Sequence, residues 1–217
     1  MKVSVFSDIS SPWCYIGVTR FERAAAAVSL STGAPLDVTL RAYQVEPDAA
    51  SNGRPLLEVE ADRLGGPDEV DAMVARARAA GTVDGLDFDF DAAVEANTFD
   101  AHRLLTWAAE HGGIGTQRDL AHELWRAYFA EGADVSDHDT LAARAGLVGL
   151  DIDLVDDVLS TDVAADEVRL QLEAARDLGI DTAPTFVLDG TWMIAGAQPR
   201  DAIERALTDL VSSADPD

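Results

Sequence analysis

The spacing of apolar residues changes twice along the chain and divides it into three stretches. Val3 to Phe6 is a short β-type run, and Ser7-Asp8-Ile9-Ser10-Ser11-Pro12 after it carries loop and cap chemistry. Cys14, Val18, Phe21, Ala25 and Val28 then recur by fours and threes, which predicts a helix with one apolar face. Ser11 before Pro12 reads as its N-cap, with proline in the first helical position. Thr32-Gly33-Ala34-Pro35 ends it, and Asp37 to Val45 (DVTLRAYQV) reads as a second strand, parallel to the first.

From about Leu56 to Leu178 the pattern is helical. The predicted helices are Leu56–Leu64, Asp68–Ala80, Thr98–His111, Gln117–Ala130, Asp137–Ala145, Leu154–Leu159 and Val163–Leu178, with glycines such as Gly81, Gly112 and Gly146 marking ends. One segment differs: Gly85-Leu86-Asp87-Phe88-Asp89-Phe90-Asp91 alternates with period two and predicts an extended stretch. The β pattern then returns. Thr185–Leu188 is a strand, Asp189-Gly190 a hairpin turn, Thr191–Ala195 the partner strand, and Pro199 opens a last helix.

The order β-α-β, helices, β-β-α predicts an α/β protein: a thioredoxin-like fold with an inserted all-helical domain. The expected division is a discontinuous thioredoxin-like domain over 1–50 and 163–217, with a helical insertion over 51–162. The 217 residues, 47% hydrophobic, suffice for a substantial core.

Charge narrows the partners. Forty acids against sixteen bases give a formal net charge of −24, so nucleic acid and anionic membrane are not expected partners. The acidity reads as a solubility adaptation or as a docking face for a basic partner. No stretch suits a signal peptide or a membrane span, so a cytoplasmic protein is expected. Cys14 is the only cysteine, which excludes an internal disulfide. His102, His111, His122 and His138 show no ligand spacing, and no metal site is expected; His102 reads as a residue that packs or hydrogen-bonds within its helix. Phe88, Phe90, Trp107, Trp125, Tyr128 and Phe129 read as core between helices and sheet, or as walls of a substrate groove.

Two places carry candidate chemistry: Ser11-Pro12-Trp13-Cys14 at a helix start, and Ala183-Pro184 entering a strand, an uncommon position for proline. With SPWCYIG at 11–17, RAYQVEPDA at 41–49, NTFDAHRLL at 97–105, AYFAEGADV at 127–135 and GIDTAPTFVLDGTWMIAGAQP at 179–199, the chain resembles the DsbA family of thioredoxin-fold oxidoreductases, in its FrnE-like branch. That branch is related to 2-hydroxychromene-2-carboxylate isomerase and to kappa-class glutathione transferases. The resemblance implies a cis-proline at Pro184 and a Cys-Pro-Trp-Cys motif in which the first cysteine attacks and the second resolves. Here Ser11 stands at the attacking position and Cys14 at the resolving one, and a hydroxyl cannot enter thiol–disulfide exchange.

The catalytic candidates are therefore Ser11 and Cys14, with Pro12, Trp13, Ala183 and Pro184 expected to bind substrate or thiol. Several accounts stand. Cys14 acts as a single thiol. A low-molecular-weight thiol, glutathione or mycothiol, binds at Ser11 and serves a thiol or disulfide substrate, small or peptidic. The chain is a thiol-dependent isomerase or transferase of small aromatic or polyketide-like molecules. It is a binding protein that has lost turnover. The serine replaces a cysteine by engineering. The same residues also have plain structural roles: Ser11 as cap, Cys14 as a buried apolar residue and Trp13 as packing.

Overall fold

The computed structural model describes residues 1–214. Strand β1 (Lys2–Ser7) leads into helix α1 (Pro12–Thr32) and strand β2 (Asp37–Ala42). Seven helices follow: α2 (Leu56–Leu64), α3 (Pro67–Val83), α4 (Phe99–His111), α5 (Gly113–Glu131), α6 (His138–Leu147), α7 (Ile152–Leu159) and α8 (Ala165–Asp177). The chain ends in β3 (Thr185–Leu188), β4 (Trp192–Ala195) and α9 (Arg200–Ala214). The sheet order is β2-β1-β3-β4, with β1 parallel to β2 and antiparallel to β3, and β4 antiparallel to β3. This is the expected thioredoxin-like arrangement, with the helices placed between β2 and β3.

Alternation along the strands sorts the core into two layers. Val3, Val5, Leu40, Phe186 and Leu188 belong to a large core shared with α1, α9 and the inserted helices. Phe6 and Val187 point the other way, into a small cluster with Ala175 at the end of α8. The aromatic residues of the insertion are buried as core: Phe88, Phe90, Trp107, Trp125, Tyr128 and Phe129. The expected face of α1 is buried, but Tyr15, Ile16, Gly17, Thr19 and Ala24 are buried too, so its first half is enclosed nearly all round.

Several boundaries differ from expectation for identifiable reasons. Strand β2 stops at Ala42 because, after Tyr43 donates to Ser7 C=O, the chain leaves the sheet and Val45 N–H donates to the Asp8 carboxylate instead. Helix α3 runs through Gly81, where a Cβ would enter the Phe88 ring; the glycine serves a close approach, not a stop. Segment 85–91 alternates as expected, with Leu86, Phe88 and Phe90 buried and Asp87, Asp89 and Asp91 exposed, but it forms no strand. Helix α5 starts at Gly113, four residues before Gln117.

Candidate functional site

Ser11 and Cys14 lie where β1 gives way to α1. Ser11 stays outside helical geometry (φ −100°, ψ 117°), and its Oγ accepts the Cys14 N–H at 3.2 Å. This is the N-cap expected from the sequence. Pro12 follows in the first turn and has no N–H to satisfy. Among the described residues nothing accepts from the Trp13 N–H, so one helix-start donor remains unclaimed. Trp13 itself is half-buried against the main core.

Cys14 points inward and is 0% exposed. Its Sγ accepts the Asp8 N–H at 3.3 Å. Burial raises its pKa, the Ser11 hydroxyl and the Asp8 N–H pull it back, and the Asp8 charge raises it again; burial prevails and the thiol is pushed up to about 12. At pH 7 such a thiol is protonated. A helix start ordinarily favours thiolate, but here the sulfur sits behind the helix start and away from water.

Asp8 beneath the motif is also 0% exposed. Its Oδ2 accepts Val45 N–H at 2.7 Å and the Ser10 hydroxyl at 2.9 Å, and its Oδ1 lies 3.3 Å from His102 Nε2. That Nε2 is also 2.9 Å from the Tyr43 C=O, and both partners are acceptors, so Nε2 carries the hydrogen. Burial alone would raise the Asp8 pKa; His102, by hydrogen bond and charge, and the Val45 N–H outweigh it and hold the carboxyl below its ordinary range. The Asp8 C=O accepts Trp125 Nε1–H at 3.1 Å. One residue thus joins the motif to the segment after β2, to α4 and to α5. His102 packs, as expected, but its ring bonds outside its own helix, to Asp8 and to the Tyr43 C=O just past β2. In the sequence Asp8 reads only as loop chemistry, its one signal being an acid between a strand and a helix.

Ala183 and Pro184 reach the same end of the sheet. Phe6 pairs with Thr185, so the loops leaving β1 and entering β3 run side by side. The Ala183–Pro184 bond is cis. Pro184 C=O accepts Gly196 N–H at 2.7 Å, whereas among the described residues the backbone groups of half-buried Ala183 have no partner. Gly17 in α1 lies against this loop: a Cβ there would fall 2.5 Å from Pro184 Cγ and 3.2 Å from Ala197 Cα. The structure therefore brings the N-terminal turns of α1 and the Ala183-Pro184 loop together. Among the described residues no helix is long and apolar enough to cross a membrane.

Comparison with known proteins agrees with this architecture. The family model described as DSBA-like thioredoxin domain matches residues 2–208. The crystal structure of a probable DsbA oxidoreductase from Streptomyces coelicolor is similar over 100% of this chain and 92% of its own, with 34% identity and a TM-score of 0.89. The uncharacterized protein YwbO of Bacillus subtilis is 24% identical over 214 residues, 96% of each chain. The cytosolic disulfide reductase DsbM from Pseudomonas aeruginosa, solved with GSH, shares the fold at a TM-score of 0.68 and 18% identity, over 97% of this chain and 100% of its own.

Proposed function

The chain belongs to the DsbA-like thioredoxin family of thiol–disulfide oxidoreductases, and from that premise we propose that it works through a low-molecular-weight thiol held at Ser11 rather than through cysteines of its own. The observation that carries this reading is the contrast within the motif. Cys14, the one cysteine, is sealed from solvent and neutral, while the attacking position at the helix start holds a hydroxyl. A thiol such as glutathione or mycothiol supplies the chemistry when bound: two thiols give two electrons and two protons to a substrate disulfide and close into their own disulfide.

The residues fit such a guest. The free Trp13 N–H and the N-terminal end of α1 favour an anionic sulfur beside them. The Ser11 Oγ already accepts from Cys14 N–H, and its own hydrogen, which faces the Cys14 sulfur, turns outward to donate to the guest. Ala183, with N–H and C=O unclaimed, offers a backbone edge for the peptide part of a thiol or of a disulfide substrate. Cys14 fills the floor beneath. The proposed setting is the cytoplasm, where small thiols keep disulfides reduced; the DsbM neighbour is described as cytosolic.

The test is the ionisation of the thiol when bound. Ultraviolet thiolate absorbance of glutathione, and separately of mycothiol, is followed against pH with Cys14→Ala protein in excess. At least one of them is expected to ionise about one pH unit or more below its free value, with the shift reduced in the Ser11→Ala, Cys14→Ala double variant. Identical titration of both thiols with and without protein contradicts the proposal.

A further inference from the structure

Beside the motif, Ser10 borders a cavity of about 160 Å³ between α2 and the segment after β2. Four carboxylates line it, from Glu46, Asp48, Glu60 and Glu95, and among the described residues Arg63 is the one basic side chain in the lining. Arg63 is already shared, its guanidinium paired with both Glu46 and Glu60. Glu60 is 7% exposed; its Oε1 takes Arg63, and its Oε2 is buried with no hydrogen-bond partner among the described residues.

The lining hydroxyls have no hydrogen left for it. Tyr128 donates to Val94 C=O at 2.8 Å, and Ser10 donates to Asp8. The cavity therefore sets a buried acceptor oxygen among an excess of carboxylates, with neither lining hydroxyl free to donate to it, and an unpartnered buried acceptor is costly unless something supplies the donor. Leu56, Val59 and Ala96 add apolar wall. The space takes about five water-sized groups, enough for a charged head and a few methylenes.

We propose that this cavity receives a cationic arm, an ammonium or guanidinium on a flexible aliphatic chain, carried by the molecule that engages Ser11. The inference rests on the reading that the ligand lies at Ser11, whose neighbour in the chain, Ser10, lines the cavity, and it deepens that reading by giving the ligand a charge. Glu60 Oε2 is covered as it stands, so a turn of the Glu60 side chain brings it to the cationic head; the stem lies along Leu56 and Val59, and an anionic group is excluded by the remaining carboxylates. Such an arm belongs either to a lysine or arginine of a polypeptide or to a small amine.

The experiment is an amide chemical-shift titration of the full chain with three probes: N-acetyl-Gly-Arg-Gly-amide, the same peptide with citrulline for arginine, and agmatine. Saturable shifts are expected at Val59, Glu60, Arg63 and Ala96 with the arginine peptide or agmatine, the tighter of the two identifying the source. Citrulline in the probe, or Glu60→Gln in the protein, is expected to weaken binding about tenfold or more. Equal binding of the citrulline peptide, unchanged binding to Glu60→Gln, or no saturable shift at these residues overturns the proposal. Should Glu60→Gln perturb the fold, Glu46→Gln at the rim carries the same expectation and the same refutation. The readout contains no thiol, so failure here leaves the thiol reading of Ser11 standing, and failure of that reading leaves this one.

Discussion

At position 14 a helix start that favours thiolate meets a burial that forbids it, and the sulfur stays protonated. Position 8 shows the reverse outcome: the carboxyl is as deeply buried, yet it stays ionised because His102, Val45 and Ser10 all donate to it. Because its folded pKa lies below the ordinary 3.8, Asp8 contributes stability that is present above that value and lost as pH falls through the folded one. Asp8→Asn is therefore expected to cost about 1–3 kcal/mol at pH 7 by urea denaturation, and the gap to the native chain should narrow below pH 3.8. A gap independent of pH down to acid unfolding would count against an ionised Asp8. Ser11 and Pro12 were legible in the sequence because capping is local, settled within three residues. The bond between Asp8 and His102 was not, since it spans 94 positions and depends on how α4 lies against the sheet.

On the scale of elements, α1 carries the site because its first turns are enclosed between the sheet and the helical block. Gly17 sets how closely it meets the Pro184 loop. In an ordinary helix interior, Gly→Ala stabilises by up to about 1 kcal/mol. Gly17→Ala is expected to do the opposite, costing about 1–3 kcal/mol in denaturant unfolding, because the new methyl must displace Pro184 or Ala197. A stabilised variant would show that the two elements are not held at this distance. The outer edge of β2 is managed from afar. Gln117 of α5 accepts Leu40 N–H at 3.0 Å and donates to Leu40 C=O at 3.1 Å, and Gln171 of α8 accepts Ala42 N–H at 2.7 Å. Side-chain amides thereby take the place of a further strand. Nothing in the sequence pattern marks these glutamines, since each sits in a polar-rich helix and its partner lies more than seventy residues away. Gly81 misled for a related reason: a glycine in a helical pattern reads as a stop until the Phe88 ring that needs its space is known.

The whole molecule was readable where order along the chain mirrors order in space. The β-α-β start, the helical middle and the β-β-α end each announce themselves by spacing, and the core they build is continuous from Val3 to Leu207. The net charge of −24 is a whole-chain property, and the acid-lined cavity beside Ser10 is one place where that excess becomes local. The molecule has the fold of its family, and at the start of α1, where the resemblance implies the attacking cysteine of dithiol members, it carries Ser11. The central question for this molecule is where the reacting sulfur comes from. The most direct measurement is the rate of reduction of a peptide disulfide as a function of glutathione, and of mycothiol, concentration, for the native chain, Ser11→Ala and Cys14→Ala. If a bound small thiol supplies the sulfur, the catalysed rate saturates with one of the thiols, falls about tenfold or more in Ser11→Ala, and survives Cys14→Ala. A rate that Cys14→Ala abolishes and Ser11→Ala leaves intact, or no rate above the uncatalysed exchange with either thiol, would contradict it.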